Sequence, residues 1–123
     1  MGVPDWLEET IASQQAMNRT SWAALQEHGV DETTEVELEF FYAAPGEGEA
    51  SRLVEYLRDE TDYDARAVSQ KNGAFSKRTW VVTGKTRPTT ISLEVLDQWV
   101  QWMVAAGAAN GGCEFDGWGA QVP

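Results

Sequence analysis

The residues of this chain that could carry out chemistry are few and far apart. Its one cysteine, Cys113, stands beside Glu114 with no basic neighbour in sequence. A thiolate forms near neutral pH only beside positive charge or a helix N-terminus, so a buried or inert thiol is expected there. Its one histidine, His28, precedes Gly29 where a helix should end. At that position the helix dipole favours an imidazolium, and capping is expected in place of catalysis. One histidine and one cysteine are too few for the usual zinc ligand sets or a histidine-based triad. No Ser-x-x-Lys, Gly-x-Ser-x-Gly or His-Glu-x-x-His pattern occurs. The expectation is a protein that is not an enzyme and holds no metal and no cofactor.

Other patterns suggest binding. Glu35, Glu37 and Glu39 alternate with apolar residues, which on a strand sets all three carboxylates on one face about 7 Å apart. That spacing is too wide for two of them to chelate one ion unaided. It suits a patch facing Lys or Arg on a partner, and it also suits a solvated face that keeps an exposed sheet from aggregating. Gly46-Glu47-Gly48 begins like a nucleotide-binding loop, but Ser51 takes the third glycine position and Glu47 and Glu49 would face the phosphates. A loop leading into a helix is the better reading. Six tryptophans, at 6, 22, 80, 99, 102 and 118, are many for the length, and stacking of single-stranded bases on them is an alternative role.

Charge weighs against that alternative. Twenty acidic residues against nine basic ones give a net charge of -11 and a pI near 4.3, whereas phosphate binding draws on Lys and Arg. Direct nucleic-acid binding is not expected; a protein partner with a basic surface is. The acid is concentrated, with -4 over residues 1–31, -9 over 32–64 and +2 over 65–123. A length of 123 residues, 42% of them hydrophobic, fits one soluble domain. The N-terminus MGVPDWLEE lacks a basic and then apolar leader, and a lone cysteine forms no intramolecular disulfide. A cytoplasmic location away from membranes is expected.

Periodicity predicts the helices and strands on which these residues sit. Residues 4–29 predict a helix opened by Pro4 and Asp5 and closed by Gly29, its stripe of Leu7, Ile11, Trp22 and Leu25 interrupted by Gln14 and Asn18. Residues 1–31 are therefore expected as an appended helix and 32–123 as the domain proper. Residues 34–42 alternate strictly and predict one strand; Ala50, Leu53, Val54 and Leu57 predict an amphipathic helix over about 47–60. Residues 63–70 and 79–86 predict strands joined through an Asn72-Gly73 turn. Ser92 caps a second core helix with Leu93, Leu96, Val100, Met103 and Gly107 on its stripe, running to about Asn110. Residues 113–115 predict a last strand and 116–120 a tight turn. In order, these elements predict an α+β, ferredoxin-like βαββαβ sandwich with an additional N-terminal helix. Right-handed crossovers put both core helices on one sheet face. The shared core is expected to hold Val36, Leu38, Phe40, Leu53, Leu57, Trp80, Val82, Leu96, Val100 and Met103.

The ending EFDGWG, the helix LEVLDQWVQWMVAAGAANGG before it, the stretch EVELEFFYAAPGEGEASRLVEYLRDE and the strand WVVTGK together resemble the family of regulator of ribonuclease activity B, the protein inhibitor of ribonuclease E. The resemblance covers about Glu32 to Gly119, with Asp-Gly-Trp-Gly its most specific piece. It implies a bacterial, non-enzymatic, ferredoxin-like domain that binds a ribonuclease E-type endoribonuclease and restrains RNA turnover. The sequence departs from the best-known members, which carry an acidic C-terminal extension, in that its acid is concentrated in residues 32–64 instead. The residues expected to meet the partner are Glu35, Glu37 and Glu39, and the turn residues Asp116, Gly117 and Trp118. The competing expectation is a small-molecule or peptide-binding module on the open sheet face, available only if the N-terminal helix does not lie across it.

Overall fold

Alternating burial along residues 36–42 sets the centre of the molecule, with Phe40 and Tyr42 fully enclosed and Phe41 on the opposite side. The computed structural model describes residues 5–71 and 78–120. Its elements are α1 (Asp5–Glu27), β1 (Glu35–Val36), β2 (Leu38–Ala44), α2 (Glu47–Glu60), β3 (Asp64–Lys71), β4 (Arg78–Lys85), β5 (Thr89–Thr90), α3 (Leu93–Ala109) and β6 (Glu114–Ala120). Strands β3, β4, β2 and β6 form one antiparallel sheet in that order, and β1 pairs with β5 in a small second sheet. With the crossovers through α2 and α3, this is the strand order of the expected ferredoxin-like α+β fold. The Asn72-Gly73 turn lies outside the described residues.

Both crossover helices pack on one sheet face: Leu53 and Leu57 of α2 and Val100 and Met103 of α3 share a cluster with Phe40, Tyr42, Val82 and Phe115. Ser92 caps α3 as its residue type predicts, its hydroxyl accepting the Val95 N–H at 3.2 Å. Helix α3 crosses β2 at Gly107, where a Cβ would stand 2.5 Å from the Tyr42 ring and 2.6 Å from the Cys113 carbonyl oxygen. The Tyr42 hydroxyl donates to the Met103 carbonyl at 2.6 Å, so the largest fully buried side chain also has its polar end satisfied.

Three expectations change. The predicted strand over 34–42 is two strands: β4 ends at Lys85, Thr86 exchanges bonds with Leu38 (Leu38 N to Thr86 Oγ1 3.1 Å, Thr86 N to Leu38 O 2.9 Å), and the chain then leaves through Pro88 to pair β5 with β1. Proline offers no N–H to continue the ladder. The shared core is two clusters: Val36, Leu38 and Leu96 pack with Trp22, Leu25, Val30 and Ile91, away from the Phe40 group, and Trp80 is half-buried. The predicted turn over 116–120 is strand, as described below.

Helix α1 supplies Trp22 and Leu25 to that second cluster, a burial of about 1.5–3 kcal/mol for each large apolar side chain. It runs against α3, with the Gln15 carboxamide donating to the Asp97 carbonyl at 3.2 Å. The helix layer thus has three members, and α1 does not cover the other sheet face. On that face Phe41, Val68 and Val81 are half-buried and Arg66 is exposed. No helix among the described residues is long and apolar enough to cross a membrane.

Candidate functional site

The three glutamates do not share one strand. Glu35 belongs to β1 opposite Thr90, Glu37 sits in the gap between strands, and Glu39 belongs to β2 between Lys85 of β4 and Gly119 of β6. Burial still alternates through the break, because Val36 and Leu38 remain enclosed while Glu35 is exposed and Glu37 and Glu39 are half-exposed. The carboxylates therefore stay on the side turned from the core. Glu37 also borders a cleft with Asp62, Asp64, Lys85 and Arg87, a neighbourhood that alternation alone does not reveal.

Asp116, Gly117 and Trp118 lie within β6. Against β2 the register runs Phe40 to Trp118 and Phe41 to Gly117, then Tyr42 to Phe115, so one extra residue is accommodated at Asp116. Gly117, at φ +121°, adopts the backbone geometry that this bulge needs and that side-chain-bearing residues rarely take. The bulge returns Trp118 to the helix side of the sheet while Asp116 stays exposed. The glycine-rich pattern that predicts a turn is here an edge-strand bulge.

Trp118 is half-buried and held from two sides. Its ring meets Trp99 edge to face with centroids 6.3 Å apart, and its Nε1–H donates to Asn18 Oδ1 at 2.8 Å. Asn18 is fully buried and donates from Nδ2 to Asp97 Oδ1 at 2.9 Å. One carboxamide thus ties α1, α3 and β6 together. In the sequence pattern Asn18 reads as an interruption of the apolar stripe. The available signal was its place in that stripe, seven residues after Ile11 and four before Trp22, where a polar residue must find buried partners.

The remaining reactive groups have structural partners. Cys113 is buried, its Sγ 3.6 Å from the Glu49 carbonyl oxygen; burial, with the Glu49 charge nearby, pushes the thiol up to about 11. His28 is exposed, and its Nδ1 lies 2.8 Å from the Ala24 carbonyl oxygen at the end of α1. Among the described residues no group of three or more His, Cys, Asp or Glu side chains is placed to hold a metal ion.

Strand order, a three-helix layer and the acid gathered in residues 32–64 define an acidic ferredoxin-like α+β domain. Its sequence matches the family model described as regulator of ribonuclease activity B over residues 15–120. The chain belongs to that family, whose members are regulators of ribonuclease activity. The match takes in the second half of α1, with Asn18 and Trp22, beyond the Glu32–Gly119 stretch that carries the resemblance by eye. A search of curated proteins returns no match to the chain.

Proposed function

We propose that the protein is a non-enzymatic regulator that binds a basic surface of a ribonuclease E-type endoribonuclease and lowers its activity, slowing RNA turnover. Family membership is the observation that carries this reading. The charge distribution supports it: Glu35, Glu37 and Glu39 lie turned from the core within the segment that holds -9 of the net charge. Such a field raises the rate of encounter with a basic surface. Asp116, Gly117 and Trp118 form the second contact, on the edge strand, with Trp118 already fixed by Asn18 and Trp99.

The test is cleavage of a defined RNA by the purified ribonuclease with increasing amounts of this protein, alongside direct binding of the two. Slower cleavage with saturable, salt-sensitive binding is expected. Unchanged cleavage and no complex at about 150 mM salt would overturn the reading. The protein alone is expected to leave the RNA intact; turnover abolished by His28→Ala would contradict a non-enzymatic role.

A second reading, a small-molecule or peptide-binding module on the open sheet face, draws on the position of α1, which packs along α3 and leaves that face uncovered. Phe41→Ala separates the two readings. A small molecule bound by the parent and lost in the variant, with no complex between the parent and the ribonuclease, would favour the module.

A further inference from the structure

Where Asp62 and Arg87 border the sheet end, a cleft of about 240 Å³ opens between the turn after α2 and the chain after β4. Leu38 and Ile91 form its floor, Tyr63 and Trp99 its aromatic walls, and Val95 stands at the mouth in the first turn of α3. Leu38 and Ile91 are buried, but Val95 is 44% exposed, one of four large hydrophobic side chains so placed among the described residues. Trp99 Nε1–H donates to the Tyr63 hydroxyl at 3.0 Å, so the indole's one donor is satisfied and its ring surface is what remains for a visitor. Phe115 and Trp118 hold Trp99 edge to face, with centroids 6.1 and 6.3 Å away. The wall is therefore formed in advance.

The charged lining of the cleft is Asp62 and Arg87. A second cleft adjoins it through Asp62, Tyr63 and Arg87 and is acidic, adding Glu37, Asp64 and Lys85. Lys85 lies in register between Glu39 and Asp64 across the sheet, and with Arg87 it leaves the three carboxylates of the adjoining cleft one negative charge in excess. A bare apolar visitor would strip water from these carboxylates with nothing in return, and a phosphate would be repelled. A planar guanidinium on an aliphatic stem satisfies both parts, stacking on aromatic faces while pairing carboxylates, which an ammonium does less well.

We infer that this cleft seats an arginine side chain presented by the protein partner, with Tyr63 and Trp99 against its stem and guanidinium and Asp62, shared with the adjoining acidic cleft, pairing its charge. The inference rests on the reading of the protein as a binder of a basic ribonuclease surface and gives that surface a point of attachment.

The test uses the full chain and two probes, hexa-arginine and hexa-lysine peptides, followed through the Trp99 indole N–H resonance assigned by Trp99→Phe. Hexa-arginine is expected to shift that resonance and to bind at least about threefold more tightly than hexa-lysine. Val95→Trp, a change at an exposed position that fills the mouth, is expected to remove the shift without lowering the melting temperature. Met17→Trp, at an equally exposed site on α1 (55%), is the control and should bind as the parent does. An unmoved Trp99 signal, equal binding of the two peptides, or unchanged binding by Val95→Trp would each overturn the inference. Against the intact ribonuclease, Val95→Trp is expected to weaken binding about tenfold. If parent and variant bind the enzyme equally, the cleft is not the attachment point although the regulatory reading stands. If hexa-arginine enters the cleft but the ribonuclease does not bind the parent, the cleft inference stands and the choice of partner fails.

Discussion

The Trp118 indole donates to the Asn18 carboxamide across 100 residues of chain, joining the edge strand to the first helix at 2.8 Å. The same carboxamide donates to Asp97, so a single buried side chain closes the interface among α1, α3 and β6. Removing it leaves an indole N–H and a carboxylate oxygen without their partners. At about 1–3 kcal/mol for each group stranded in this way, Asn18→Ala should cost about 2–6 kcal/mol. Urea unfolding of the variant measures this directly.

Trp118 itself separates structure from binding. Trp118→Phe keeps an aromatic against Trp99 but leaves Asn18 Oδ1 without its donor, a loss of about 1–2 kcal/mol. Trp118→Ala adds a cavity and should cost about 3–5 kcal/mol. Melting temperature and ribonuclease dissociation rate, taken on the same samples, apportion the effects. A faster dissociation of Trp118→Phe at unchanged stability would mark the ring as an interface anchor, whereas lowered stability with an unaffected complex would remove it from the interface.

The glutamates act at longer range. Changing Glu35, Glu37 and Glu39 to glutamine together should slow association with a basic partner by about three- to tenfold at low salt and flatten its salt dependence. Dissociation should change little, because exposed charges set encounter more than lifetime. Stopped-flow binding at several salt concentrations reads both. Equal association rates for parent and variant would reduce the row to a solvated face.

Close packing of α3 on β2 depends on Gly107. A methyl there meets the Tyr42 ring at 2.5 Å and the Cys113 carbonyl oxygen at 2.6 Å, so Gly107→Ala should destabilise by about 1–3 kcal/mol through overpacking. The opposite change on the other crossover helix, Leu57→Ala, leaves a cavity and should cost about 2–5 kcal/mol. Against a total of about 5–15 kcal/mol, either variant should unfold at visibly lower urea concentration.

Alkaline pH should unfold the protein through buried acids. The folded-state value of the Cys113 thiol is raised by burial from 9.0 to about 11, and burial also raises Tyr63 and, further, Tyr42. A group whose folded value is raised contributes its full stability below the unfolded value and loses it as pH rises through the folded one. Stability should therefore hold up to about pH 9 and fall between about 9 and 11 as Cys113 and Tyr63 begin to ionise more readily in the unfolded chain. At pH 8 the native thiol should react with iodoacetamide at least about a hundredfold more slowly than the unfolded one, since the two-unit difference alone lowers the thiolate fraction by that factor. Mass spectrometry of native and urea-treated protein checks both.

Features that repeat locally are legible in the order of residues alone. The period of α2 and the cap at Ser92 predicted their helices closely, because each depends on residues three or four apart and on one hydroxyl beside one N–H. The alternation of Val36, Leu38, Phe40 and Tyr42 predicted their burial, since side chains on extended backbone change sides at every residue. The strand order followed from the crossovers, and the family from EFDGWG and its neighbours. Tertiary structure decided what depends on distant partners. The same alternating run splits at Glu37 because β4 stops and Thr86 and Pro88 turn the chain aside, and nothing in residues 34–42 encodes where β4 ends. Asp116-Gly117-Trp118 became a bulge because β2 lies beside it, although glycine freedom alone permits a turn equally well. Asn18 reads as a defect in a stripe until Asp97 and Trp118, 79 and 100 residues away, arrive to bond it. Local periodicity records which face of an element is apolar; only the assembled layers determine which polar groups meet across it.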